Sequence, residues 1–209
     1  MLGTRLRLRH TAALIAPLAA AFALAGAPAA NASLLGCGEN TSNPFAQWGD
    51  DNDYVYVSNG GVEAGSTGWS LSRGAAVVSG NEPFSVHGAG DSHSLYLPPG
   101  ASAVSPPVCV GLDSPTVRFF AKGTTSGLFN GLKVDVLFKG PLGLPLSLPV
   151  TTIGSQGWYP TDAALNLGSV AQLLGLQGLT SNAQFRFTSQ GSGTSFQIDD
   201  LYVDPWKCI

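Results

Sequence analysis

Leu132-Lys133-Val134-Asp135-Val136-Leu137-Phe138-Lys139 is the stretch whose pattern decides the fold class. Leu132, Val134, Val136 and Phe138 recur at every second position, with Lys133, Asp135 and Lys139 between them. Successive side chains of a strand point to opposite faces, so this pattern predicts a strand with one dry side and one wet side. The rhythm continues outward in both directions. Phe185 and Phe187 alternate with Gln184, Arg186 and Thr188, and a last strand is expected over 196–203. Toward the N-terminus, short runs are expected at 116–121, 107–110 and 94–97, the last ending at Pro98-Pro99-Gly100. Runs at 75–78 and 69–72 are parted by Gly74, and a first strand at 54–57 ends at Asn59-Gly60-Gly61. Short alternating runs punctuated by glycine and proline predict an all-β, antiparallel β-sandwich.

Two stretches depart from the rhythm. In 141–150, Leu142, Leu144, Leu146, Leu148 and Val150 share one face, while Pro141, Pro145 and Pro149 share the other. Proline cannot donate to a ladder, so this segment must be an edge strand or an extended cover. Ser169-Val170-Ala171-Gln172 has the form of a helix capping box, with Val170, Leu173 and Leu174 on one face and Gly175 as the stop. One short helix is expected at 169–174. Within the last strand, Phe196 and Ile198 are out of phase with Leu201 and Val203. A bulge or twist at Asp199-Asp200 would reconcile the two pairs and aim one carboxylate sideways.

The first 32 residues carry a different message. Arg5, Arg7 and Arg9 precede an apolar run from Ala12 to Ala25, and Ala30-Asn31-Ala32 is a small-residue cleavage pattern. This is the layout of a secretory signal peptide, which implies a secreted protein, extracellular or held at the cell envelope. The expected organisation is a signal peptide at 1–32, an N-terminal arm at 33–53 and the sandwich at 54–209. Without the leader, seven basic residues face thirteen acidic ones, a net charge of −6. That balance argues against nucleic acid and anionic membrane as partners. No second apolar stretch is long enough to span a bilayer. Charged residues make up only 11% of the chain, so its solubility rests on Ser, Thr, Asn, Gln and exposed backbone.

Cys37, Cys109 and Cys208 allow one internal disulfide at most and have no zinc-site spacing. Leu34-Leu35-Gly36-Cys37 is a loose lipobox, but the apolar run ends well before it and Ala30-Asn31-Ala32 is the better cleavage site. Cys109 sits in an apolar strand, whereas Cys208 is one residue from the end, where chains fray. The expected bridge is therefore Cys37–Cys109.

Both ends of the expected sandwich carry a further signal, Asn59-Gly60-Gly61-Val62-Glu63-x-Gly65-x-x-Gly68-Trp69 and Phe196-Gln197-Ile198-Asp199-Asp200-Leu201-Tyr202-Val203. The pairing resembles the galactose-binding-like jelly rolls found among bacterial carbohydrate-binding modules, where the two elements lie side by side. Val62 departs from the phenylalanine usual in those modules. Pro44-Phe45-Ala46-Gln47-Trp48-Gly49-Asp50 and Asp91-Ser92-His93-Ser94-Leu95 also resemble a group of secreted actinobacterial proteins of unassigned function. The resemblance implies jelly-roll topology and a structural calcium ion, with Glu63 and Asp199 as carboxylate ligands and Asp200 as the alternative. Calcium takes six to eight oxygens, and these residues allow such a site.

Other clusters have plainer readings. Asp50-Asp51-Asn52-Asp53 lacks the glycine and closing glutamate of an EF-hand loop and is expected to be a solvated acidic turn. His87, Asp91 and His93, flanked by Gly88 and Gly90, are expected to fix a loop through hydrogen bonds. Sugar binding needs aromatic rings to stack on pyranose faces. Tyr96, Trp158 and Tyr159 are the candidate contacts, with Trp206 beyond them, although Trp69 and Trp158 follow glycine turns that would pack them inward. No nucleophile elbow, zinc-protease helix, phosphate loop or dinucleotide fingerprint is present. These readings converge on a non-catalytic, calcium-stabilised module with polysaccharide or cell-wall glycan as its ligand. The alternatives are an envelope protein acting through protein contacts and a small secreted hydrolase.

Overall fold

The strand expected at 132–139 lies inside a sheet and is flanked on both edges. In the computed structural model, which describes residues 40–110, 116–125, 130–139, 144–162 and 181–204, it runs as β9 (Gly131–Lys139) between β10 (Pro145–Ile153) and β12 (Ser181–Gln190). That sheet continues through β6 (Ser102–Val104) to β3 (Ser70–Ser72), and β7 (Val108–Val110) pairs with the start of β12. The second sheet centres on β13 (Ser195–Val203). One edge of β13 pairs with β8 (Val117–Thr124), which carries β11 (Gln156–Pro160). The other edge pairs with β5 (His93–Leu97) near the start of β13 and with β2 (Tyr54–Tyr56) near its end. β4 (Ala76–Ser79) extends β5, and β1 (Thr41–Ser42) extends β2.

All these pairings are antiparallel. From β2 onward the chain changes sheet at most connections, which gives a β-sandwich of jelly-roll type. The helix expected at 169–174 lies outside the described residues. So do residues 1–39, with the expected signal peptide and Cys37, and residues 205–209, with Trp206 and Cys208. Among the described residues, no helix is long and apolar enough to cross a membrane.

The dry faces meet as the alternation requires. Leu132, Val134 and Val136 of β9 and Ala183, Phe185 and Phe187 of β12 pack against Val117, Phe119 and Ala121 of β8 and Phe196 and Ile198 of β13. Phe119 and Phe187 meet edge to face with centroids 5.0 Å apart. Each such ring contributes roughly 1.5–3 kcal/mol by leaving water. Trp69 joins this core, as its glycine turn implied.

The proline-studded segment is an edge strand. Among the described residues β10 pairs only with β9, Pro145 and Pro149 are exposed, and the register slips between Pro149 and Thr151, while residues 141–143 of the expected segment lie outside the described residues. β13 carries the expected bulge. Its register against β8 shifts between Asp199 and Tyr202, and Asp200 takes a left-handed φ of 47°. Phe196 and Ile198 thus face the core before the bulge, and Leu201 and Val203 face it after.

Three short strands, β1, β6 and β11, were not legible in the sequence. Each is two to five residues long, and β11 is built from Gln156-Gly157-Trp158-Tyr159-Pro160, whose glycine and proline read as turn. The expectation of a first strand at 54–57 is corrected by β1, which pairs Thr41 with Val55.

Candidate functional site

The two ends of the sandwich lie side by side, as the resemblance implied. Val57 N–H donates to the Leu201 carbonyl at 2.9 Å, and Leu201 N–H donates to the Gly60 carbonyl at 3.4 Å. A side chain at position 60 would meet the Leu201 carbonyl at 2.8 Å, so only glycine permits this approach. Asn59 staples the turn: its Nδ2 donates to the Gly65 and Thr67 carbonyls, and its Oδ1 accepts from Ala64 N–H. Its carbonyl accepts the Trp69 indole N–H at 2.8 Å. Val62 is held there at φ 55°, an uncommon conformation for a β-branched residue.

The carboxylates expected to share one ion are divided. Glu63 Oε1 accepts the N–H groups of Ser92 and His93 at 2.8 and 2.7 Å, and its Oε2 lies 2.9 Å from His93 Nδ1. Burial opposes ionisation of Glu63, yet the His93 and Ser92 hydrogen bonds prevail and its pKa is lowered. Asp199 is fully engaged with backbone, Oδ2 accepting Glu82 N–H at 3.0 Å and Oδ1 accepting Asp200 N–H at 2.9 Å. Asp200 Oδ2 accepts His87 N–H at 3.2 Å, whereas its Oδ1 is buried with no hydrogen-bond partner. Of these three carboxylates, Asp200 alone has an oxygen without a hydrogen-bond partner among the described residues.

Other residues gather around Asp200 instead. His87, Asp91 and Asp200 place one ligating atom each within 4.8 Å of one another. His87 Nδ1 lies 2.9 Å from Asp91 Oδ2, and the imidazole stacks on Tyr56 with centroids 3.7 Å apart and planes 10° apart. Glu82, missed in the sequence, is buried beside them and caps the following loop, accepting the N–H groups of Phe84 and Val86. An acidic residue in a proline-containing loop carries no periodic signal, so nothing local marked it. Burial, the neighbouring Asp200 carboxylate and Glu82 push Asp199 up to about 9. Burial and Glu82, opposed by the His87 N–H, push Asp200 up to about 7. These carboxyls sit in a low-dielectric, negatively charged neighbourhood.

His93, expected beside His87 and Asp91, faces Glu63 instead. Ser92 Oγ lies 3.1 Å from the same His93 nitrogen that meets Glu63. A serine–histidine–acid relay needs the hydroxyl and the acid on opposite ring nitrogens, so this trio cannot pass a proton along the ring.

The candidate sugar contacts lie on or beside the outer face of the β13 sheet. Gln197 is directly opposite Tyr96 on one side and Lys122 on the other. Directly opposed residues share a face, and the adjacent Phe196 and Ile198 point into the core, so this row points outward. Tyr96, Lys122, Thr124, Gln156 and Gln197 line a shallow groove of about 350 Å³. Trp158 is half-buried, with the Lys122 ammonium 5.0 Å from its ring centroid. Tyr159 is 54% exposed, with its ring 6.3 Å from that of Trp48. The structure thus brings Tyr96 and Trp158 together through Lys122, a residue that sequence reading did not single out.

A second groove of about 640 Å³ lies on the other sheet, between Lys139, Ser147, Gln184 and Arg186. It contains no tyrosine or tryptophan, and the Arg186 guanidinium is held by Asp135 and by the Ser147 hydroxyl.

Another part of the outer face is covered by the residues ahead of β2. Phe45 and Trp48, around the 3-10 turn Ala46–Trp48, pack on Tyr54, Phe120 and Tyr202. Asp50 lies under this arm, which corrects the expectation of a solvated acidic turn at 50–53. Its Oδ2 accepts Arg118 Nη1 at 2.6 Å and the Tyr54 hydroxyl at 2.7 Å. Asp51 and Asn52 do face solvent. The reason is pairing: a carboxylate can be buried when a buried guanidinium neutralises it.

Fold and site together define a class, an antiparallel jelly-roll sandwich with an aromatic-and-amide groove on an outer face. In chain path it is similar to a family 61 carbohydrate-binding module solved with β-1,4-galactotriose, at 20% identity and a TM-score of 0.43 over 72% of this chain and 98% of that one. It is also similar to a family 16 carbohydrate-binding module, at 14% identity and a TM-score of 0.44 over 71% of this chain and 99% of that one. A third likeness is to the C-terminal family 22 module of a Clostridium thermocellum xylanase, at 12% identity and a TM-score of 0.44 over 74% and 96% of the two chains. No protein-family model and no curated protein matches the sequence.

Proposed function

We propose that this chain is an exported, non-catalytic module that binds a polysaccharide through the outer-face groove of the β13 sheet. The observation that carries the reading is the cross-strand row Tyr96, Gln197, Lys122, with Gln156 and Trp158 beside it. A tyrosine ring offers a stacking face, and amides and an ammonium offer partners for hydroxyls. The larger groove on the opposite sheet lacks a tyrosine or tryptophan to stack.

A groove this shallow covers little of a sugar chain, and hydroxyls exchange water for protein at small net gain. Dissociation constants are expected in the micromolar to millimolar range, roughly −4 to −8 kcal/mol. Affinity electrophoresis against galactan, xylan and cell-wall glycan tests this. Tyr96→Ala and Trp158→Ala are each expected to weaken retention at least tenfold with unchanged circular dichroism, Tyr159→Ala to weaken it less, and Arg186→Ala to leave it unchanged. If no polysaccharide retains the wild type, the envelope-protein reading replaces this one.

The reading includes a Cys37–Cys109 disulfide tying the N-terminal arm to β7. Non-reducing peptide mapping is expected to join those two cysteines. In the chain-entropy model a loop of this length contributes roughly 4 kcal/mol. A peptide containing Cys208 joined to either would reassign the bridge.

A further inference from the structure

We propose that His87, Asp91 and Asp200 form a binding site for a zinc-like divalent cation. The three residues come from two parts of the chain. His87 and Asp91 lie on the loop between β4 and β5, and Asp200 forms the bulge of β13. Their ligating atoms nevertheless lie within 4.8 Å of one another. Around a tetrahedral zinc ion with bonds of about 2.0–2.2 Å, neighbouring ligand atoms stand roughly 3.4 Å apart. His87 Nδ1 and Asp91 Oδ2, hydrogen-bonded at 2.9 Å, must exchange that bond for the ion and part slightly, and Asp200 must draw in to the same spacing.

The independent sign of a missing partner is Asp200 itself. Its side chain is fully buried, and Oδ1 has no hydrogen-bond partner among the described residues. Leaving a buried carboxylate oxygen unsatisfied costs more than leaving a neutral group so, and native folds rarely tolerate it without an ion or water. The Asp199 oxygens, by contrast, are both used by backbone N–H groups. The oxygen in need of a partner therefore belongs to Asp200, whose other oxygen accepts the His87 N–H.

The donor set selects the ion. One imidazole nitrogen and two carboxylates suit zinc, which takes four ligands and accepts both donor types. Calcium prefers six to eight oxygens and gains little from an imidazole. The stack against Tyr56 orients the His87 ring, a task that ligand histidines commonly delegate to neighbours. His87 is 39% exposed and Asp91 only 12%, so the ion enters from the histidine side and water completes its coordination.

The test is calorimetric titration of the secreted protein, stripped of metal by chelator, with zinc chloride and separately with calcium chloride. One zinc per chain is expected, bound at least a hundredfold tighter than calcium. His87→Ala and Asp91→Asn are each expected to weaken zinc binding at least tenfold. His93→Ala, whose imidazole faces Glu63, is expected to leave it unchanged. Both informative positions lie on the exposed loop, so the result does not depend on Asp200→Asn folding. Cobalt substitution should give a visible band that His87→Ala abolishes. Failure to bind zinc, or zinc binding insensitive to His87→Ala, would overturn the proposal. Preferential calcium binding unaffected by that variant would overturn it in favour of an oxygen-only site.

Discussion

Asp50→Ala is expected to lower the stability of the fold by about 3–5 kcal/mol, the usual cost of removing one partner of a buried ion pair. Arg118 is 7% exposed and Asp50 11%, so the guanidinium left behind cannot recover its pairing from water. It would keep the Thr161 carbonyl at 2.8 Å and the Phe45 ring 4.2 Å from its Cζ, but neither neutralises it. Chemical denaturation at neutral pH measures the loss. The pair also sets a pH dependence. Burial opposes ionisation of Asp50, but the Tyr54 hydroxyl, the Asn52 N–H and Arg118 outweigh it, and its pKa falls below the ordinary 3.8. A carboxyl with a depressed native pKa contributes stability that is present above its unfolded value and lost as the pH drops through the native one. The stability gap between wild type and Asp50→Asn should therefore be constant above about pH 5 and shrink below pH 4. A gap that does not change with pH would mean that Asp50 acts through shape rather than charge.

Phe120→Ala is expected to cost a similar amount, about 3–5 kcal/mol, by opening a cavity beneath the arm. Phe120 is fully buried although it lies on the outer face of its sheet. It stacks on Phe45 at 5.7 Å, meets Trp48 at 5.3 Å and lies 5.8 Å from Phe84. Removing it takes the floor from three rings at once. Limited proteolysis should then cut within residues 43–53 at protease levels that spare the wild type. Combining Phe120→Ala with Asp50→Ala should destabilise by less than the sum of the two, because both variants release the same arm. Additivity would show that the arm is not one cooperative unit.

The core of this sandwich was written into local pattern. Alternation over 132–139 needs only the geometry of a strand to predict which side chains face inward, and Leu132, Val134 and Val136 do so. The prolines of 145–149 limited that segment to an edge strand or a cover for an equally local reason, and the phase break between Ile198 and Leu201 called for a bulge or twist; the fold shows the edge strand and the bulge. The outer face was not legible, because burial there depends on what else lands on it. Phe120 and Tyr202 sit where alternation assigns solvent, and they are dry because Phe45 and Trp48 arrive from a different part of the chain.

The candidate sites divide along the same line. Composition identified Tyr96 and Trp158 as rings able to meet a sugar, but pairing register was needed to place Tyr96 in one row with Gln197 and Lys122. His87 and Asp91 were visible as neighbours in a glycine-rich loop, yet two donors do not make a metal site. The third, Asp200, lies 109 positions beyond Asp91 in the sequence and reaches them only after the sheet closes and the β13 bulge turns its carboxylate aside. For Glu63, motif position suggested an ion ligand, and only the fold shows that its carboxylate also accepts the Ser92 and His93 N–H groups. Periodicity records which face a side chain occupies, a property of its own strand. Which partner it meets depends on chain closure over long sequence separations, and that was decided only in the folded molecule.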